Sequence, residues 1–455
     1  MTDHNPLENK LLTLLHDRPL PARELRQLLG NISPATLSRL TKQVGAKIVS
    51  FGQARASRYA RPRDLRGIGH QLPVYRVDES GNAHFAGELW LLSGGYWWAG
   101  EEWASRYYPS VPWFLYDLKP DGFVGRAFAQ QFGRELGLPE RLTSWKDDDI
   151  LVALARRGED AVGDLLVGEE SLARYMAAAR LQPVICTAAD YPRLAEEALA
   201  GDPAGSSAGG EQPKFSVLME REGAAKQVLV KFSPLLSTHT GQRWSDLLVA
   251  EHIALNIVRE MGISSAASTI HQAGNRTFLE VDRFDRVGIR GRTPLNSLTF
   301  VDAEFIGAGS NWTATADRLA SAKMLSPEDT ANLRRLDLFG SLIANTDRHQ
   351  GNISLIPTNR ERTRFKLAPA YDMLPMFYRP KEGEERPSGA YHPPAAGDVG
   401  EVYESAGKFW REAGNDARIS EPFRKLCGEN LDVLLKMGSG PRIIKPQPIR
   451  VRDTD

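Results

Sequence analysis

A chain of 455 residues, 42% apolar and 25% charged, has the make-up of a folded globular protein, and its length suggests about three domains. Two cysteines, Cys186 and Cys427, far apart and with no C-x-x-C, exclude a disulfide framework and a cysteine zinc site. Zero net charge hides an asymmetry: residues 1–66 carry twelve Lys and Arg against five Asp and Glu (+7), and the remainder 45 against 52 (−7). A basic module on a mildly acidic body implies a polyanionic partner. The polar N-terminus has no hydrophobic leader and no apolar run approaches membrane-spanning length, so the expectation is a cytoplasmic protein with no membrane partner.

Leu7 to His16 has helical apolar spacing, Pro19 and Pro21 punctuate, and Ala22 to Leu29 reads as a second short helix. Ser33 is a good N-cap and Pro34 suits the first helical position. In the helix from Pro34 to Val44, Leu37, Leu40 and Val44 line one face, and Thr36, Arg39, Lys42 and Gln43 the other. Lys47 to Phe51, a turn near Gly52, and Arg55 to Ala60 make a small hairpin bearing Arg55, Arg58 and nearby Arg61. The pattern predicts a winged helix-turn-helix over residues 1–66, its second helix of the pair in the major groove and its wing on phosphates. A small helical protein-interaction module has the same outline; the arginine-rich hairpin favours DNA.

Residues 67–180 hold Trp90, Trp97, Trp98, Trp103, Trp113 and Trp145 between strand-like runs. A sugar platform is conceivable, but tryptophan more often fills a core or an interface. The small-residue run from Gly201 to Gly210 reads as a linker by composition. It leads, however, straight into the strands Lys214–Met219 and Gln227–Phe232, and such a loop can lay backbone amides against phosphates. No G-x-x-x-x-G-K-[ST] occurs, so this is not a P-loop NTPase. Lys231, inside an apolar strand, needs an anion beside it. Glu251 falls on the apolar stripe of the helix from Trp244 to Met261 and either pairs with Lys231, as kinases pair Lys and Glu, or meets water at an edge. Phe278 to Arg286 reads as a strand and a hinge between two lobes, and residues beyond 300 as mostly helical.

Asp347 and Asn352 are five apart, the spacing of base and metal ligand in a kinase catalytic loop. Ile353 to Ile356 and Phe365 to Ala370 predict an antiparallel hairpin whose open ends bring Asn352 beside Asp372. An amide and a carboxylate are hard oxygen ligands suited to Mg2+. Taken alone, such a loop more commonly holds only helix and turn caps.

These elements, in this order, resemble the HipA family of bacterial Ser/Thr kinase toxins over roughly residues 80 to 430. Ser207-Ala208-Gly209-Gly210-Glu211-Gln212-Pro213-Lys214 is similar to its S-x-[GA]-G-x-[QR]-x-K loop, and Val230-Lys231 to its ATP lysine. Asp282-Arg283-Phe284-Asp285-Arg286 resembles its [ED]-R-F-D-R hinge, Thr346 to Asn352 its T-D-x-H-x-x-N loop, and Tyr371-Asp372 its metal motif. The resemblance implies an α+β, bilobal protein-kinase-like fold: a subdomain over 67–180, a nucleotide-binding lobe over 181–300 and a helical catalytic lobe over 301–440; composition predicts a disordered tail over 441–455. It implies Asp347 as the base, and Asn352 and Asp372 as the magnesium ligands. It places ATP against Gly209, Gly210, Glu211, Gln212, Lys214 and Lys231, against the main chain of Asp282 and Phe284, and beside His349, Asn352, Tyr371 and Asp372. Ser207 would be phosphorylated by the enzyme itself. The implied partners are a protein substrate and a HipB-type antitoxin; this chain differs in carrying its own DNA-binding head, which would bring it to the nucleoid.

The leading reading is therefore an ATP-dependent protein serine/threonine kinase with a DNA-binding head. A transcription regulator whose kinase-like body only senses a nucleotide or partner is the alternative from another class. A small-molecule kinase of the aminoglycoside-phosphotransferase kind shares the D-x-x-x-x-N loop but not the Ser207 loop or the R-F-D-R hinge.

Overall fold

The computed structural model describes residues 6–52, 57–200, 212–221, 223–309, 311–380, 389–394 and 400–438. The first helices are α1 (Pro6–Leu14), α2 (Ala22–Leu28) and α3 (Pro34–Val44). The Ser33 hydroxyl accepts the Thr36 N–H at 3.1 Å, and Pro34 opens α3 where no N–H is needed. Leu37, Leu40 and Val44 turn inward onto Leu11, Leu15 and Leu25, giving this segment a core of its own. Strands β1 (Leu20–Pro21), β2 (Val49–Phe51) and β3 (Arg58–Ala60) form an antiparallel sheet in the order β1-β3-β2. At two residues, β1 is too short to show alternation, which is why the sequence offers Pro19 and Pro21 only as punctuation.

The next unit is a five-stranded antiparallel sheet of β4 (Gln71–Val77), β5 (Ala83–Leu92), β6 (Gly95–Gly100), β7 (Arg106–Tyr108) and β8 (Leu165–Val167), ordered β7-β6-β5-β4-β8. Helices α4 (Trp113–Tyr116), α5 (Gly122–Leu136) and α6 (Asp147–Arg157) connect β7 to β8, and α7 (Gly168–Ala178) follows. The aromatics here are core: Trp98 stacks on Trp103 at 4.8 Å and both meet Phe114 edge-on. Trp97 instead receives Phe51 of the hairpin β2–β3, with ring centroids 4.5 Å apart, and Leu92, Trp90 and Tyr107 complete that cluster. The hairpin therefore docks part of its surface on the body, where the sequence suggested a wing devoted to phosphates. A Cβ on Gly94 would lie 2.1 Å from the Asp17 carbonyl, so close contact at this junction requires glycine.

Strand β9 (Ile185–Cys186), helix α8 (Tyr191–Ala200), strands β10 (Lys214–Arg221) and β11 (Ala224–Phe232), helix α9 (His239–Glu260) and strands β12 (Ser268–Ala273) and β13 (Arg276–Asp282) build the next lobe. Its sheet runs β12-β13-β11-β10-β9, with α9 laid across it. The short strands β14 (Arg286–Val287), β15 (Gly291–Arg292) and β16 (Asn296–Ser297) lead to the helices α10 (Leu298–Phe305), α11 (Trp312–Ser321) and α12 (Pro327–Leu342). The hairpin of β17 (Ser354–Pro357) and β18 (Phe365–Leu367) follows, then α13 (Gly400–Asn415) and α14 (Glu421–Gly438). One apolar core runs from the middle sheet through α9 into these helices. Among the described residues, no helix is long and apolar enough to cross a membrane. The tail over 441–455 lies outside the described residues.

Candidate active site

Strand β11 carries Lys231 between Val230 and Phe232, and all three are buried. Its ammonium donates to Glu251 Oε1 of α9 at 2.6 Å and to Asp372 Oδ1. Burial opposes the lysine's charge, but Asp372 and Glu251 together outweigh it and hold its pKa above the ordinary range. Burial pushes the Glu251 carboxyl up, with Lys231 pulling against it. Burial also works against ionised Asp372, yet Lys231 and Lys214 keep it below the usual carboxylate range. Lys231 bridges the two carboxylates, Lys214 adds a second positive charge nearby, and Glu251 Oε2 has no hydrogen-bond partner among the described residues. The Asp372 carboxylate is a hard oxygen donor of the kind a divalent cation among phosphate oxygens takes.

The loop from Asp347 to Asn352 follows α12, whose inward residues Leu333, Leu336, Phe339 and Leu342 fix its end in the core. Ala344 then takes a left-handed φ of 60°, and Asp372 one of 52°. Neither is glycine, and such backbone costs about 1–3 kcal/mol where it is imposed by its surroundings. The hairpin forms with Leu355 opposite Leu367, and its open ends lie side by side. Asn352 donates Nδ2 to the Asp347 carbonyl at 2.8 Å, which leaves its oxygen as the atom for a metal. The Asp347 carboxylate is 41% exposed, with His349 Nε2 at 3.9 Å. It opens into a cleft of about 430 Å³ lined by Thr346, Asp347, Arg348, His349 and Tyr391.

The loop is braced from several sides. Arg348 donates to Asp337 at 3.1 Å, the Trp312 indole N–H to the His349 carbonyl at 2.9 Å, and Gln350 to Thr315 at 2.9 Å. Tyr371 donates its hydroxyl to the Gly351 carbonyl at 3.0 Å and shares a bond with Ser354, while its ring lies 5.7 Å from Phe284. Burial raises the Tyr371 pKa, so the hydroxyl stays neutral and acts as a brace.

The charged side chains of the R-F-D-R segment reach the middle unit. Asp285 accepts from Arg283 at 3.0 Å, from Arg286 at 2.6 Å and from the Gly163 N–H at 3.1 Å, while Arg286 also donates to the Ala161 carbonyl. These charges tie the lobe to the middle unit. The Asp282 side chain pairs with Arg221 and Lys226, and its N–H goes to the Ala267 carbonyl at 2.9 Å. Of its main-chain groups, the carbonyl alone is left to meet a base. Gln212 is half-buried with Nε2 unpartnered among the described residues, and Lys214 stands opposite Lys231 in the β10–β11 register. Ser207, Gly209, Gly210 and Glu211 lie outside the described residues.

On the first unit, Arg39, Lys42 and Gln43 are exposed on the outer face of α3, and Thr36 is half-buried against Ser33. Arg58 is exposed on β3 and Arg61 half-buried beyond it. Arg55 lies outside the described residues.

Residues 68–176 match the family described as YjjJ-like toxin, middle domain, and residues 206–430 the HipA-like C-terminal domain. Toxin YjjJ of Escherichia coli (strain K12) is 38% identical over 431 residues, 92% of this chain and 96% of that protein. The chain is a YjjJ-like member of the HipA family. A chain of the Shewanella oneidensis MR-1 toxin–antitoxin complex of HipA, HipB and operator DNA superposes with a TM-score of 0.52 at 17% identity, covering 80% of this chain and 96% of that one. That likeness gives the mixed α+β HipA/kinase-like fold. The HipA motifs therefore sit in a HipA-type framework. Sequence reasoning missed Asn345, Arg348 and Trp312 as parts of the site or its supports. Only Asn345 had a local signal, since asparagine readily bonds the backbone two residues on.

Proposed function

We propose that this chain is an ATP-dependent protein serine/threonine kinase with a DNA-binding head. The carrying observation is that Lys231, Glu251 and Asp372, from three distant stretches, meet in one buried ion cluster beside the Asp347–Asn352 loop. A lysine ammonium has three donors. Two face Glu251 and Asp372, and the third would take an ATP phosphate oxygen. Gln212 and Lys214 at the start of β10, with the Gly209–Glu211 loop before them, would hold the remaining phosphates. The adenine would lie near Asp282 and Phe284. Magnesium, held by Asn352 and Asp372, would neutralise charge on the phosphates. Asp347 would orient the acceptor hydroxyl from the open cleft and take its proton as the new oxygen–phosphorus bond forms and ADP leaves. Catalysis here is positioning and electrostatics rather than covalent chemistry.

The three helices and small sheet of residues 1–66 serve as a winged helix-turn-helix, with α3 facing the major groove. The Shewanella oneidensis complex pairs HipA with HipB on operator DNA; here the chain's own head takes up DNA contact, whether or not a HipB-type antitoxin also binds. The protein would act in the cytoplasm, on the nucleoid when bound to DNA. Domain limits follow the same reading: 67–180 for the middle unit, 181–300 and 301–440 for the two lobes. Incubation with ATP and magnesium followed by mass spectrometry, wild type against Asp347→Ala, tests the kinase reading. Phosphate on a protein Ser or Thr, and on Ser207 itself, is expected with wild type only. Equal labelling in both removes Asp347 as the base, and labelling in neither removes the kinase.

A further inference from the structure

We infer that Asn345 is a positioning residue that sets the distance between Asp347 and Asp372. The inference rests on the phosphotransfer reading above. Asn345 is fully buried, two residues before Asp347 and far in sequence from Asp372. Its Oδ1 accepts the Asp347 N–H at 3.0 Å, and its Nδ2 donates to the Asp372 carbonyl at 3.3 Å. Its own N–H goes to the Gly340 carbonyl at 2.8 Å, and its carbonyl accepts from Arg348. Every polar group of this residue is thereby bonded, as a buried amide requires.

The orientation of the amide is set by its neighbours. A backbone N–H on one side demands an acceptor, and a backbone carbonyl on the other demands a donor. An amide supplies both from one planar group without depending on a proton that titrates. Aspartate keeps the acceptor but sets a carboxylate oxygen against the Asp372 carbonyl; alanine keeps neither; leucine fills the space and bonds nothing.

What is clamped is the main chain at the two residues that matter. Asp372 sits at a left-handed φ, and the turn that delivers Asp347 passes through left-handed Ala344. Strained backbone holds its shape only while its surroundings dictate it. Releasing the Asp372 carbonyl lets that residue relax, and its carboxylate moves relative to Lys231 and Asn352. Displacement of a reacting group by about 1 Å costs about a hundredfold in rate.

The test compares wild type, Asn345→Ala and Asn345→Asp. The measurements are kcat, ATP KM, half-saturating magnesium, melting temperature, and calorimetric binding of magnesium with a non-hydrolysable ATP analogue. Asn345→Ala should lose kcat by about a hundredfold, with ATP KM within about twofold and a folded, cooperative melt. Asn345→Asp, which keeps the Asp347 bond and loses the Asp372 bond, should fall between the two and need several times more magnesium, in turnover and in calorimetry alike. Activity of either variant within threefold of wild type overturns the assignment. So does activity that falls only in step with the folded fraction, or an Asn345→Asp protein whose magnesium requirement is unchanged. A wild-type protein with no phosphotransfer at all strikes the kinase reading instead.

Discussion

Lys231 shows how one residue's surroundings fix both its charge and its use. Moving an ammonium out of water is costly, and two carboxylates here offset that cost. Take the lysine away and Glu251, wholly out of water, and the partly exposed Asp372 lose the ammonium that bridges them. Lys231→Met should therefore destabilise the protein by about 3–5 kcal/mol, read by urea unfolding, besides weakening ATP binding. Adding Glu251→Gln should recover part of the loss, because it removes one of the two stranded charges. A Lys231→Met protein as stable as wild type would mean that the cluster is not ionised as described. Part of this pairing was legible in the sequence: a lone lysine in an apolar strand asks for an anion, while the glutamate on an apolar helical stripe could equally have met water at an edge. Asn345 was not, because an asparagine two residues before an aspartate looks like any turn.

Short segments were read less well than single residues, because their partners are remote in sequence. Asp282 to Arg286 was legible as a link between lobes, but nothing local to it points to the loop over residues 158–164. Asp285 is buried; burial alone would raise its pKa, yet Arg283 and Arg286 outweigh it and hold the carboxyl at about 2. The sign follows from that direction. The folded form binds the proton less readily than the unfolded chain, so the stabilisation is present above the ordinary carboxylate range and is lost as pH falls towards 2. The stake is about 2 kcal/mol, at about 1.4 kcal/mol per pKa unit. Wild type should lose melting temperature between pH 4 and pH 2 more steeply than Asp285→Asn, which has no such proton to gain. Parallel curves would show that Asp285 does not carry the acid sensitivity of this joint. The helix α3, by contrast, was readable nearly to the residue, since Ser33-Pro34 marks its start by capping and by ring geometry.

At the scale of the molecule, zero net charge conceals a basic head on an acidic body, and the two are bolted together by aromatics that the sequence could not assign to that joint. Residues 67–180 read as core-filling aromatics, and most are. Trp90, Trp97 and Tyr107, however, face Phe51 and Ala60 of the head. Cutting the chain after residue 66 would strip that cover and leave an aromatic patch in water, so a truncation confounds loss of DNA binding with aggregation. Charge reversal on the exposed face of α3 avoids the confusion. Arg39→Glu with Lys42→Glu touches no core residue and should leave stability within about 0.5 kcal/mol. Neutralising a phosphate releases counterions, so the double variant should lose binding to duplex DNA at about 150 mM salt, with a salt slope shallower by roughly 0.9 for each phosphate that is no longer neutralised. ATP turnover should be unchanged, because the lysine–carboxylate cluster lies in the other lobes. Band shifts and turnover measured on the same preparations separate the outcomes. A double variant that shifts DNA as well as wild type means that α3 is not the helix facing the groove. One that loses turnover as well means that the acidic body responds to charge on the head, which the present division of labour does not allow.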